Sequence, residues 1–268
     1  MGFYELREGE LLCYKSDNLE ANHGFTTLLG GVSTWFLASM NLGIRRGDTP
    51  ENIQKNYEIL GKALGFAPEK SVFSVQVHGN VIRTVTERDW GKGLITNTDY
   101  ECDGLITNVP GTALFVFSAD CGTLLYHDPV TGAVGACHAG WRGTALGIAR
   151  KTAEAMVKTY GCDPKNIRVA LGPCISKCCF ETDSDVPEAM LAALGEEANA
   201  FIEKNGEKYH VDLKGINKSF VMQAGIPEEN IDVTELCTAC QPDIFWSHRR
   251  HGQERGSIGA VIVAGEGK

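Results

Sequence analysis

Nowhere in the 268 residues is there an apolar run approaching the roughly 18 residues that a membrane-spanning helix requires, which excludes a membrane-embedded role for this segment pattern. The stretch from Met1 to Asn18 mixes charges with isolated apolar residues and has no apolar export core. Leu6 stands where an N-myristoylation signal on Gly2 needs Ser or Thr. A soluble, cytoplasmic protein is expected. Basic charge is also short: 25 Lys and Arg face 34 Asp and Glu, for a net charge of -9. Such a chain repels phosphate backbones unless one face is strongly basic, and no such face is found, so nucleic acid is not an expected partner. Repeats, low-complexity tracts and Pro- or Ser-rich linkers are missing, so residues 1–268 read as one domain. No Gly-x-Gly-x-x-Gly turn joins a strand to a helix, which argues against a dinucleotide-binding fold.

What is present suits one sizeable core, with 43% hydrophobic residues and 31 glycines spread as turn punctuation. Thr49-Pro50 followed by Ile53, Tyr57, Leu60 and Leu64, with Gly65 beyond, predicts a capped amphipathic helix. Strands are expected at 72–77, 81–85, 113–117, 123–126, 133–137 and 167–171. A long helix is expected from Thr144 to a stop at Gly161, with further helices across 186–205 and 211–224. The unbroken apolar run at 258–264 predicts a closing strand buried on both faces. Because strands and helices do not alternate regularly, the expected fold is α/β, a mixed-sheet domain with flanking helices and not a Rossmann fold.

Ten cysteines in a long chain without an export signal fit reduced thiols better than a disulfide framework. Cys237-Thr-Ala-Cys240 is a Cys-x-x-Cys unit, with Cys178-Cys179 as the other half of a structural zinc site it would need. Its place near the C-terminus, followed by Pro242, does not fit a thioredoxin-type redox motif, and these cysteines, with Cys174, read as buried thiols.

Three strand ends pair a metal-ligating residue with tight-turn residues: Gln76-Val77-His78-Gly79-Asn80, Ala119-Asp120-Cys121-Gly122 and Cys137-His138-Ala139-Gly140-Trp141-Arg142-Gly143. His78, Cys121 and His138 supply two imidazoles and one thiolate, which leaves a tetrahedral zinc one open position, the pattern of a catalytic site. The segment after His138 leads toward the long helix, whose N-terminal N–H groups are expected to attract an anion near the metal.

QVHGN around His78, CDGLITN from Cys102, ADCGTLLYHDP from Ala119, HAGWRGTALGI from His138, GPCI from Gly172 and SHRRHGQERGS from Ser247 occur in an order that resembles the YfiH/YlmD-type family. That family has been labelled multicopper polyphenol oxidoreductase or laccase-domain protein, and later read as purine nucleoside phosphorylase with adenosine deaminase activity. The resemblance runs from about residue 23 to 263. It implies a single laccase-type α/β domain and a zinc ion held by His78, Cys121 and His138. It also implies a nearby pocket in which phosphate or water attacks adenosine, inosine, guanosine or methylthioadenosine.

Further site candidates follow from the same matches. Asn41, in SMNLG, is a candidate polar contact at the site. Arg45 and Arg46 stand before Gly47-Asp48, where many members carry a His-Val pair, and are candidates for phosphate or for a solvated basic loop. Asp120 is a candidate for the carboxylate that moves a proton in deamination or for a group that orients a metal ligand. Arg142 is a candidate to position phosphate or to stack on Trp141. Arg249 and Arg250, in the densest positive run, are candidate anion contacts. Leu28 replaces a usual Arg of the family, and Ser257 stands where a Gly-Arg pair is usual, which affects the substrate range more than the metal. A conventional multicopper cluster needs His-x-His pairs, and the seven histidines form none, so copper oxidase chemistry is expected only through copper substituted at the same donors. An amidase that edits peptidoglycan precursors is the other enzymatic alternative, since a metal-activated water suits that chemistry.

Overall fold

Period-two alternation of side chains explains the architecture of this computed structural model, which describes residues 2–265 and 267; Met1, Glu266 and Lys268 of the expected 1–268 domain lie outside the described residues. One six-stranded sheet runs in the order Phe3–Glu8, Leu11–Ser16, His23–Thr26, Ile258–Val263, Ala113–Ser118 and Ser71–Val72. A second runs Ile231–Val233, Arg168–Leu171, Gly122–His127, Val134–Ala139, Gly104–Thr107 and Ile82–Thr84. Both sheets mix parallel and antiparallel pairs.

In the first sheet, Leu114, Val116, Ala260 and Ile262 pack inward with Leu105, Leu125, Val134, Ala136 and Ala170 of the second. Their neighbours Ala113, Phe115, Val261 and Val263 turn the other way and pack beneath Ile53, Tyr57, Leu60 and Leu64 of the helix Pro50–Leu64. The second sheet repeats the pattern: Leu124, Tyr126, Cys137, Val169 and Leu171 face the helices Ile148–Tyr160 and Leu213–Gln223. Successive side chains of a strand point to opposite faces, so these central strands are apolar throughout because both faces are covered. Helix, sheet, sheet and helices therefore form successive layers.

The helix Pro50–Leu64 matches its sequence signals: Thr49 accepts from Asn52 N, Pro50 opens the first turn, and Gly65 closes it at φ 73°. Other expectations are corrected. The strand expected at 72–77 ends at Val72, because the Gln76 side-chain amide takes over the pairing, donating to Phe117 O at 2.8 Å and accepting from Phe117 N at 2.7 Å. The long helix expected from Thr144 is split by Gly147 at φ 73° into Trp141–Ala145 and Ile148–Tyr160. The long helix thus begins ten residues beyond His138, and the helix that directly follows His138 is the short Trp141–Ala145. The helix expected across 186–205 stops at Leu194, passes through a 3-10 turn and becomes the strand Ile202–Asn205, which pairs with Lys208–Val211 in a small third sheet with Glu181–Thr182. Among the described residues no helix is long and apolar enough to cross a membrane.

Candidate metal centre and cavity

The chain passes from the first sheet to the second through Ala119-Asp120-Cys121, a turn too tight for ordinary backbone. Asp120 takes φ 91°, and Ser118 Oγ donates to Cys121 O at 2.6 Å to close it. This places the Cys121 thiol at the rim where the two sheets meet. His138 sits opposite on Val134–Ala139, paired with Thr123, and is buried. His78 reaches the same point from the loop after Gln76, with its backbone at φ 61°.

Asp103, which no sequence motif marks as a site residue, organises all of this. Fully buried, it accepts from the N–H groups of Val77 (3.1 Å), His78 (3.0 Å) and Gly79 (2.8 Å), so three successive amides wrap its carboxylate. The left-handed His78 is what turns these amides toward one anion. Asp103 Oδ1 also lies 2.8 Å from His138 Nδ1, so that nitrogen carries the proton and Nε2 is left toward Cys121. A carboxylate immediately before an apolar strand was visible as CDGLITN, yet nothing local in sequence links position 103 to 78 and 138.

His78 Nε2 lies 3.9 Å from Cys121 Sγ, the two imidazole rings meet edge-on at 4.8 Å, and the donor atoms of His78, Cys121 and His138 all fall within 4.8 Å of one another. A tetrahedral cation at ordinary Zn–S and Zn–N lengths sets its sulfur and nitrogen donors about 3.6 Å apart. The donor set and its spacing therefore fit zinc, and copper by donor softness. Burial opposes the Cys121 thiolate, but the charge and hydrogen bond of His138 and the hydrogen bond of His78 outweigh it and pull the thiol below its ordinary range. Burial likewise opposes charge on His138, and the Cys121 thiolate with the Asp103 carboxylate raises it. Gly140 completes the cluster by having no side chain: a Cβ there would stand 2.7 Å from His78 Cδ2 and 3.2 Å from Cys121 Sγ.

The three donors open onto a cavity of about 470 Å³. Phe73 and Phe117, with rings edge to face at 4.9 Å, form an apolar part of its wall, while Arg45, Arg46, Arg255 and Ser257 form a cationic part. Arg255 is the notable member. Only 9% exposed, it donates through Nη1 to Gly256 O, and its Nε has no hydrogen-bond partner among the described residues. Burial and then the nearby Arg46 lower it to about 10, so it stays a cation at neutral pH. Arg255 lies in SHRRHGQERGS two residues before Ser257, and a lone arginine beside a Gly-Ser pair carries no sequence signal of its own.

The remaining candidates are placed as follows. Asn41 is buried and accepts from Gly43 N and Ser257 N while donating to Asp48, so it clamps the loop bearing Arg45 and Arg46 against Ser257. Asp120 points away from the cavity: its carboxylate accepts from Thr238 Oγ1 at 2.6 Å and Arg249 N at 2.7 Å. Arg142 is exposed, with its guanidinium stacked 4.2 Å above the Trp141 ring. Arg249 donates to the carbonyls of Cys179 and Glu181, and Arg250 to that of Ala239, outside the cavity wall.

The family model described as multi-copper polyphenol oxidoreductase laccase matches residues 22–265. The chain belongs to that family. Within it, the purine nucleoside phosphorylase YlmD of Bacillus subtilis is 34% identical over 92% of this chain and 89% of its own length. Human LACC1, also named a purine nucleoside phosphorylase, is 36% identical over 90% of this chain and 55% of its own length. Among solved structures, YlmD from Geobacillus stearothermophilus superposes with a TM-score of 0.91 at 34% identity, covering 98% of this chain and 99% of that one. A laccase-domain fold, with its mixed sheets, is thereby shown for this chain.

Proposed function

We propose that this protein is a zinc-dependent purine nucleoside phosphorylase. One observation carries the reading: a three-donor cation site and the cations Arg46 and Arg255 line a single cavity of nucleoside size, whose wall also carries the aromatic rings of Phe73 and Phe117. The names of the relatives agree with it. His78, Cys121 and His138 would hold the zinc ion, which supplies Lewis acidity and a fixed positive charge.

Phosphorolysis breaks the bond between the ribose and the purine while a phosphate oxygen forms the new bond to the sugar carbon. Arg255 and Arg46, both on the cavity wall, hold the phosphate by charge-assisted hydrogen bonds. Phe73 and Phe117 pack against the flat base. Asn41 fixes the Arg45-Arg46 loop that carries part of the phosphate wall. Asp120 acts as a positioning group for the Cys121 turn, since both its oxygens are already engaged. Adenosine, inosine, guanosine and methylthioadenosine are the proposed substrates, with adenosine deamination as a second activity of the same cation site.

The test is to incubate purified, metal-quantified protein with adenosine, with and without phosphate, and to separate products by chromatography. Phosphate-dependent adenine with ribose-1-phosphate is the expected result, and inosine would report the deaminase. Intact adenosine beside stoichiometric zinc would overturn the substrate assignment and direct the assay to an amide-linked peptidoglycan precursor. Turnover of a polyphenol only after copper loading would assign the older family label to this chain.

A further inference from the structure

The second cluster of metal-ligating side chains lies behind the cavity, where the Cys237–Cys240 turn meets the segment around Cys178 and Cys179. Buried thiols are expected from the sequence; instead Cys178 and Cys240 are exposed and the four sulfurs converge. Cys178 Sγ lies 3.8 Å from Cys179 Sγ and 3.6 Å from Cys240 Sγ, Cys179 Sγ lies 3.4 Å from Cys240 Sγ, and all four sulfurs fall within 4.8 Å of one another.

These separations discriminate between arrangements. A disulfide brings its sulfurs to about 2 Å, and none of these pairs approaches that. A regular tetrahedron of thiolates around zinc at about 2.3 Å has an edge of about 3.8 Å. A polynuclear iron-sulfur cluster encloses its own sulfides, and four sulfurs this close together leave no room for one. A second feature is independent of the distances: Ser176 N donates to Cys237 Sγ at 3.3 Å. An amide turned onto the first sulfur of a Cys-x-x-Cys turn offsets thiolate charge and orients the ligand, as groups around a bound metal do.

We propose that Cys178, Cys179, Cys237 and Cys240 form a closed structural site for one zinc ion, distinct from the three-donor site at the cavity. With four protein ligands this ion has no open position, so its role is to pin two chain segments. The pinned turn matters to the cavity through Thr238, which sits inside it and donates to Asp120, the residue before Cys121. The four-thiolate zinc is thus a clamp on the far side of the loop that positions the Cys121 thiol.

The full chain, purified without chelator, is expected to contain two equivalents of zinc by elemental mass spectrometry. His138→Ala should retain one, and adding Cys178→Ser and Cys240→Ser to it should retain none. Because those variants risk misfolding, cobalt exchange of the His138→Ala protein provides a second readout: intense thiolate-to-cobalt charge transfer with tetrahedral d–d bands is expected. On the wild type, Cys178 and Cys240 should resist alkylation until a chelator is added. One zinc in the wild type and none in His138→Ala would overturn the proposal, as would rapid alkylation of native Cys178 and Cys240, or a disulfide among the four.

Discussion

At the residue scale, the centre depends on Asp103 as much as on its three donors. Asp103→Asn keeps the shape but replaces one oxygen with a donor, which then faces either His138 Nδ1 or the amides of Val77 and Gly79. Loss of such a ligand-orienting carboxylate typically lowers metal affinity about 10–100-fold, and competition with a chromophoric chelator should read a drop of that size. Gly140→Ala should loosen the same site by a different route, pushing the His78 ring off its position while leaving the folded circular dichroism spectrum intact. Arg255→Gln removes a buried cation from the cavity wall. Its expected signature is a rise in the KM for phosphate with little change for the nucleoside, measured by initial rates with each substrate varied in turn.

At the element scale, the strand His23–Thr26 carries a titration that the fold has suppressed. His23 is buried, its Nε2 accepts from Ser16 N at 2.9 Å, and burial drops it from the ordinary 6.5 to about 4. A base whose folded pKa is depressed binds fewer protons when folded, so its contribution is intact above pH 6.5 and is lost as pH falls from 6.5 toward 4. The loss amounts to about 3 kcal/mol. Urea denaturation across that range should show it, and the slope should flatten in His23→Gln.

Elements with strong local signals were readable before any coordinates. The helix Pro50–Leu64 has a capping Thr, a first-turn Pro and a terminal Gly, and the strand Ile258–Val263 has a continuous apolar run. The failures have one cause, a tertiary partner replacing a local pattern. Gln76 exchanges backbone pairing for side-chain pairing with Phe117, and Gly147 interrupts a periodicity that Ala145, Ala149 and Ala153 otherwise sustain. The N-terminal hairpin from Phe3 to Ser16 was not recognised, because its first strand is an edge with a largely exposed face and mixes charge with apolar residues. The donors His78, Cys121 and His138 were legible because each stands in a turn at a strand end. Asp103 and Arg255 were not, since each acquires meaning only from residues tens of positions away, while the pairing of Cys178-Cys179 with the Cys-x-x-Cys unit could be named from the sequence but not decided, because nothing local shows that the two segments meet.

At the scale of the whole molecule, stability rests on the apolar layer between the two six-stranded sheets. Leu125→Ala opens a cavity in that layer and should cost about 2–5 kcal/mol, seen as a lower denaturation midpoint with unchanged slope. Activity per folded molecule should persist, because the residue lies in the core and not in the cavity wall. The charge distribution acts at the same scale. A molecule of net charge -9 that lines one recess with Arg45, Arg46 and Arg255 repels anions on the whole and favours them at that recess. Capture of a phosphate dianion should therefore slow as ionic strength rises, with kcat/KM for phosphate falling more than kcat.

The division of labour between strand ends and loops has an evolutionary reading. Cys121 and His138 are anchored to central strands whose remaining side chains fill the core, so changes around them are felt throughout the framework. Arg45, Arg46, Asn97 and Thr98 stand on connections that can be exchanged with few consequences for packing. Mutation can then wander through this rim and try new substrates while the reactive core is inherited unchanged. A scaffold so divided is disposed to diversify in what it accepts rather than in what it does.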